Sequence, residues 1–167
     1  SGSDKDSVAN ASLVFALTLE KELARLADND HFHAFWARDS RTLEAFRGQV
    51  GALVSALQSH SAVLPSAKLV SLAQDKSVAA LDGSPFNEKH LATVSAICKD
   101  LGCNIFGQMG LTHWSQIRPK GVRDKAYLVI RQAGAPQHFS QIAKLINVAR
   151  FDTKKVNVQT VHNELIK

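Results

Sequence analysis

The sequence predicts a mainly α-helical protein with short β-hairpins, built from tandem winged-helix or helix-turn-helix units whose first and last members are incomplete. Apolar residues recur at three- and four-residue steps in several segments, which is typical of amphipathic helices. A helix followed by a hairpin that ends in tryptophan occurs twice, at residues 11–36 and 86–114. Two further helical patterns precede the second copy, and three helices with a β-ribbon form a winged helix.

This pattern divides the chain into three predicted parts. Residues 4–37 are the tail of a winged-helix-like unit, residues 41–117 are a winged-helix-like domain, and residues 118–167 are a third unit. The sequence stops where the wing of the third unit should begin, so we expect that unit to be truncated.

The N-terminal part opens with a short apolar helix over residues 10–19. Two interpretations fit residues 20–36. Helical periodicity continues through Leu23 and Leu26, or residues 20–27 and 31–36 are strands around the turn Asp28-Asn29-Asp30. We favour the hairpin, because HFHAFW alternates aromatic residues with a period of two.

The central part begins with a clear amphipathic helix over residues 41–59. Gly48 and Gly51 weaken this helix or mark a close helix approach. Pro65 suits the first turn of a short helix over residues 66–72.

A polar loop over residues 75–84 leads to another predicted helix over residues 86–101, with Gly102 just after it. Two β-prone runs, residues 103–106 and 111–114, then flank a turn of residues 107–110. We expect Trp114 to be largely buried against the 41–59 helix.

Three helices are predicted in the last fifty residues, at 122–132, 139–149 and 156–167. Gly134 ends the first of them, and Thr153 is the predicted N-cap of the third.

The charge of the chain is concentrated in these fifty residues. Residues 118–167 contain ten Lys or Arg and three acidic side chains, a net charge of +7, whereas residues 1–117 contain ten basic and twelve acidic side chains. Such asymmetry on a small helical unit points to a polyanionic partner, most simply the phosphates of nucleic acid. The alternative is a solvated basic face without a ligand.

Several classes of protein are disfavoured. No apolar run approaches the roughly 20 residues that a membrane span needs. Cys98 and Cys103 form no disulfide framework, which indicates a reduced, cytoplasmic protein. The histidines lack metal-site spacing, and no phosphate loop, carboxylate pair or nucleophile elbow is present. We therefore expect no cofactor, no metal and no enzymatic activity.

The segments PKGVRDKAYLVIRQAGAPQHFSQIAKLIN (119–147) and QTVHNELIK (159–167) resemble the HARE-HTH domain, a winged-helix family that includes the N-terminal domain of the bacterial RNA polymerase delta subunit. Upstream, NIFGQMGLTHWSQIRPKG (104–121) is similar to the segment that precedes this domain in bacterial sigma-factor-like proteins. The family's closing β-wing is absent from the matching region.

The resemblance implies a bacterial transcription-associated protein whose partner is double-stranded DNA or RNA polymerase. The basic C-terminal unit favours DNA, because phosphate contacts dominate nucleic-acid affinity. A protein-interaction module that docks on RNA polymerase is the alternative, and the DNA-targeting domain of a restriction-type nuclease is a weaker one. No oligomeric state is indicated.

In a helix-turn-helix, the third helix enters the major groove. Lys154 and Lys155 lie at the start of the predicted third helix, just before residue 156, and suit phosphate or guanine. Asn157 and Gln159 follow within the helix and suit adenine edges. The remaining predicted DNA-binding residues come after them or lie around the start of the 122–132 helix: Thr160, His162, Asn163, Arg123, Lys125 and Lys120. The competing interpretation is that Asn157 and Thr160 only cap or solvate the helix.

Overall fold

The structure is a computed structural model that describes residues 11–16 and 23–167. Residues 11–16 are helical, within the predicted 10–19 helix, and the rest of that helix lies outside the described residues. Residues 23–167 are mainly helical and contain, in order, β1 (Ala24–Leu26), β2 (Phe35–Ala37), α1 (Ser40–His60), β3 (Leu64–Pro65), α2 (Ser66–Asp75), α3 (Glu88–Ile97), β4 (Leu101–Cys103), β5 (Gln108–Leu111), α4 (Val122–Ala133), α5 (Phe139–Ala149) and α6 (Val158–Leu165).

The first hairpin is confirmed, and the alternative of a continuous helix through Leu26 is wrong. β1 and β2 pair antiparallel, with Arg25 opposite Trp36. Both strands are shorter than predicted, and the predicted strand residues 20–22 lie outside the described part. The segment that connects the two strands bonds to residues 97–99. The His33 N–H donates to the carbonyl of Ile97, and the Lys99 N–H donates to the carbonyl of His31.

The long amphipathic helix is confirmed as α1. The Asp39 carboxylate accepts from the Thr42 N–H and starts the helix, and Ser61 in the left-handed region ends it. A Cβ built on Gly48 or Gly51 would meet nothing within 4 Å. No close approach therefore explains these two glycines within the described residues. The short helix α2 is also confirmed and runs on to Asp75.

The predicted helix over residues 86–101 is too long at both ends, since α3 spans Glu88–Ile97. Its N-cap is Asn87, whose side chain accepts from the N–H groups of Lys89 and His90. At the other end, Leu101 lies in β4 opposite Leu111. Strand pairing at Leu101 replaces the helical continuation that its apolar character suggested.

The second hairpin is present, but its predicted turn is wrong by three residues. The turn spans residues 104–107, not 107–110, so the strands are β4 and β5. The buried Asn104 side chain causes this shift, because its Oδ1 accepts from the N–H groups of Phe106 and Gln108, both at 3.0 Å. Gly107 completes the turn with a φ of +75°.

A third strand, β3, was not predicted. It pairs with β5, so the sheet order is β3-β5-β4. Within this sheet Gly110 leaves room for Trp114, whose ring would lie 2.9 Å from a Cβ at that position. Trp114 packs against the core but is only half-buried, so the expectation of a largely buried side chain was too strong.

Two hydrophobic clusters organise the described residues. The larger one is centred on α1, with Leu53 and Leu57 fully buried, and includes Phe35 of the first hairpin together with residues of α2, α3 and the sheet. The 24–37 hairpin therefore shares one core with the predicted 41–117 domain. The smaller cluster lies among α4, α5 and α6.

A ring contact links the β4–β5 turn to the smaller cluster. Phe106, in the β4–β5 turn, packs against the smaller cluster, and its ring lies edge-on to Phe151 with 6.2 Å between the centroids. The tip of the hairpin is therefore held by the C-terminal helices.

Candidate nucleic-acid interface

The three C-terminal helices pack against one another around small and β-branched side chains, including Ala126, Ile142 and Val161. α5 has the predicted bounds, and α4 ends at Gly134 in the left-handed region, as predicted. α6 is shorter than predicted, at Val158–Leu165.

Residues 150–157 connect α5 to α6, and we call them the cationic loop. Two sets of contacts hold it. The Asn147 side chain on α5 accepts from the Val156 N–H at 2.7 Å and donates to the Val156 carbonyl at 2.9 Å. Asp152 bonds to Lys125 on α4. The loop is therefore fixed to both preceding helices.

Lys154 and Lys155 lie in this loop and not at the start of the third helix, so that part of the prediction is wrong. The predicted cap Thr153 is wrong as well, because Asn157 caps α6 and its side chain accepts from the Gln159 N–H at 2.6 Å. The helix dipole falls off within the first turn, so it acts little on either lysine. Both side chains are nevertheless exposed.

Arg150 is a basic residue that the sequence prediction missed. It follows the last residue of α5 in the left-handed region, with a φ of +53°. Arg150, Lys154 and Lys155 line one small cavity together with Phe151. The sequence signal was available, since a basic residue just after a helix end is a common C-terminal feature.

Arg118 is a second missed residue. It lines a neighbouring cavity with Asn104 and Phe151. Phe151 belongs to the lining of both cavities, so the Arg118 cavity adjoins the one lined by the basic residues of the loop.

Lys125, predicted as a DNA contact, is not a surface cation. Its side chain is 9% exposed and forms an ion pair with Asp152, with 2.5 Å between Nζ and Oδ2. Lys125 lies three residues after Val122 and four before Val129, so helical spacing already placed it on the buried face. A charged side chain is normally expected on the surface, so this spacing was not used to predict its burial.

The ion pair with Lys125 lowers the pKa of the Asp152 carboxyl. The hydrogen bond from Lys125 is the largest cause of a pKa below the ordinary aspartate value, and the charges of Lys125 and Lys154 lower the pKa further. The carboxylate therefore remains ionised at neutral and mildly acidic pH. Its Oδ1 also accepts from the Lys154 N–H at 3.1 Å.

The exposed face of α6 carries three of the predicted base-contacting residues. Thr160 is exposed, and Gln159 donates from Nε2 to Oδ1 of Asn163 at 2.9 Å, as residues four apart on a helix can. His162 is half-buried against Phe139, with 4.9 Å between ring centroids. His162 thus packs α6 onto α5, and its DNA contact stays a prediction.

Lys120 and Arg123 are exposed around the start of α4. The Asp124 carboxylate accepts from the backbone N–H groups of Lys120 and Gly121 and so orders this turn. Arg123 contributes, after Lys167, to the lowered pKa of Glu164. The charge of Arg123 therefore acts on Glu164 of α6.

The cationic loop and the exposed face of α6 together form a surface that can accept phosphates beside a row of amide and hydroxyl groups. Arg150, Lys154 and Lys155 make no side-chain ion pair with any acid among the described residues. No group of three metal-binding side chains occurs in that part of the chain. None of its helices is long and apolar enough to cross a membrane.

Comparisons with protein-family models, curated proteins and solved structures give no match for this chain. The resemblance to the HARE-HTH domain therefore rests on the sequence motifs alone.

Proposed function

We propose that this protein binds double-stranded DNA through α4–α6 and acts in transcription, as a sigma-factor-like or RNA polymerase-associated protein. One observation carries the proposal of DNA binding. Arg150, Lys154 and Lys155 lie on a single loop that leads directly into a helix with an exposed polar face. The role in transcription rests on the resemblance to the HARE-HTH family.

The cationic loop and the exposed face of α6 have different proposed roles, because their side chains differ in chemistry. Lysine and arginine on the cationic loop suit phosphate oxygens, which fix register and orientation but carry no sequence information. Gln159, Thr160 and Asn163 supply the amide and hydroxyl groups that bond to base edges in the major groove. α6 is therefore the proposed recognition helix.

The order of elements supports a winged-helix interpretation of the preceding unit. α1, β3, α2, α3 and the β4–β5 hairpin follow one another, and β3 adds to the hairpin as a third strand. Three helices and a β-ribbon in this order are what a winged helix requires. We propose that α4–α6 repeat the three helices without the ribbon.

Binding should be measured by fluorescence anisotropy with two unrelated labelled duplexes across a salt series. We expect log K to fall linearly with log salt, with a slope of about −0.9 for each phosphate contacted. Replacing Arg150, Lys154 and Lys155 together by glutamine should reduce the magnitude of the slope by roughly 2–3 and weaken both duplexes about equally.

The matched control removes three exposed lysines of the preceding unit, Lys68, Lys76 and Lys89, by the same substitution. It lowers the net charge equally but leaves the cationic loop intact. Equal losses in the two triple variants would show that only overall charge matters, and no binding by the unaltered protein at low salt would refute DNA binding.

A second candidate function is docking on a protein such as RNA polymerase. Apolar side chains are exposed on α5 and at both ends of α6, including Val148 at 78% and Ile166 at 70%. Exposed apolar side chains suit a protein partner better than a phosphate backbone. Absence of DNA binding at low salt would favour this candidate.

A further inference from the structure

An acidic side chain lies in the middle of the cationic loop. Asp152 stands between Arg150 and the two lysines and lines the same cavity as all three. For phosphate binding by charge alone, a carboxylate at this position is unfavourable, because it repels the ligand. Its presence needs a reason other than net charge.

The contacts of Asp152 supply that reason. One carboxylate oxygen bonds to the buried Lys125 ammonium, and the other accepts from the backbone N–H of Lys154. Asp152 therefore connects a fixed point on α4 to the backbone that carries the first lysine. Four residues on, the Asn147 side chain holds Val156 by both its N–H and its carbonyl. Lys154 and Lys155 lie between these two anchors.

We propose that Asp152, held by Lys125, is a positioning residue for phosphate binding by the cationic loop. This inference rests on the proposed function. The ion pair orders the loop before DNA arrives, so that Arg150, Lys154 and Lys155 are presented together. An ordered loop binds more tightly than a mobile one of the same charge, because its conformational entropy has already been lost on folding.

An effect of charge alone and an effect of loop order predict opposite changes in DNA affinity for one substitution. Asp152→Asn removes a negative charge beside the ligand, so simple electrostatics predicts tighter DNA binding. Loss of loop order predicts weaker binding, by about fivefold or more if an interaction worth roughly 1 kcal/mol disappears. It also predicts a salt slope smaller in magnitude by about 0.9 for each phosphate that the loop no longer binds. We expect weaker binding and the smaller slope.

Glu164→Gln is the matched control. Glu164 is an acid of the same unit, on α6, but its hydrogen bond runs to Lys167 and not to the cationic loop. Its removal changes the net charge by the same amount, and we expect unchanged or slightly tighter binding. The two variants therefore differ in loop anchoring at equal charge.

Hydrogen exchange of the free protein separates loop order from a general loss of folding. In Asp152→Asn the Lys154 amide should exchange faster, while amides in the middle of α5 keep their protection. Lys125→Met, which removes the other partner of the ion pair and leaves an apolar side chain in the buried site, should give the same local pattern and also weaken DNA binding.

The outcomes are distinguishable. If the unaltered protein binds no duplex at low salt, the proposed function itself fails. If it binds, and Asp152→Asn binds as tightly as Glu164→Gln or more tightly, the positioning role is overturned while DNA binding stands. Unchanged exchange at Lys154 in the Asp152→Asn variant would also overturn the positioning role.

Discussion

The unit formed by α1–α3 with β3–β5 and the unit formed by α4–α6 each contain three helices, yet they differ in core and in charge. The first has a core of large side chains around Leu53, Leu57 and Phe86, a three-stranded sheet, and six basic and five acidic residues over 40–111. The second has a small core of alanine, valine and isoleucine and a net charge of +7. The two units therefore differ in the size of their apolar cores and in net charge.

The difference has a physical basis. A larger apolar core contributes more free energy, since stabilisation grows with the apolar area removed from water. A concentration of like charges destabilises a compact unit through self-repulsion. The second unit combines a small core with many like charges, and it gains additional packing from Phe106 of the first unit.

The largest expected effect tests the core of the first unit. Leu53→Ala should lower the free energy of unfolding by about 2–5 kcal/mol, because Leu53 is fully buried and its truncation leaves a cavity. Urea denaturation followed by tryptophan fluorescence reports on this core, since Trp114 packs against it. Ser55→Ala, at an exposed site of the same helix, should change the stability by less than about 0.5 kcal/mol. Equal effects of the two substitutions would contradict the assignment of this core.

The next effect tests whether the second unit depends on the first. Phe106→Ala should reduce the stability of α4–α6 by about 1–2 kcal/mol, because it removes apolar burial and the edge-on packing against Phe151. Hydrogen exchange of amides in α5 measures this directly. Ile105→Ala is the control, since the neighbouring Ile105 side chain is 47% exposed. Unchanged exchange in Phe106→Ala would mean that the second unit is stable without Phe106.

The smallest effect distinguishes a helix cap from a base contact. Asn157→Ala should lower stability by about 1 kcal/mol, because the cap of α6 is removed, whereas Asn157→Ser should retain most of the stability. Neither variant should change the preference between two unrelated duplexes in a competition assay. A change in preference of about 1–3 kcal/mol would identify Asn157 as a base contact after all.

Regular periodicity and glycine at a helix end were sufficient to predict α1, α2, α4 and α5. Each of these helices has an apolar face that repeats at helical spacing, and Gly134 could adopt the left-handed conformation that ends α4. Here local preference and tertiary packing favour the same structure.

The sequence prediction fails where one side chain, or a contact distant in sequence, decides the local structure. Asn104 places the hairpin turn through its own hydrogen bonds, against the β-propensity of Ile105 and Phe106. β3 is two residues long and exists because β5 is beside it. In the site, the ion pair that satisfies the buried Lys125 ammonium is made with Asp152, which is distant in sequence. Charge composition predicts that the unit is basic, but not which cations reach the surface.

Phe106 also determines where the chain can be divided. The change in charge suggests a boundary near residue 118, but a cut there would separate the β4–β5 turn from the helices it supports and expose Phe151 to water. A cut before the hairpin would instead remove β4 and β5 from the core around α1. A cut within residues 98–121 would therefore damage one core or the other, and neither unit separated in this way keeps all of its packing.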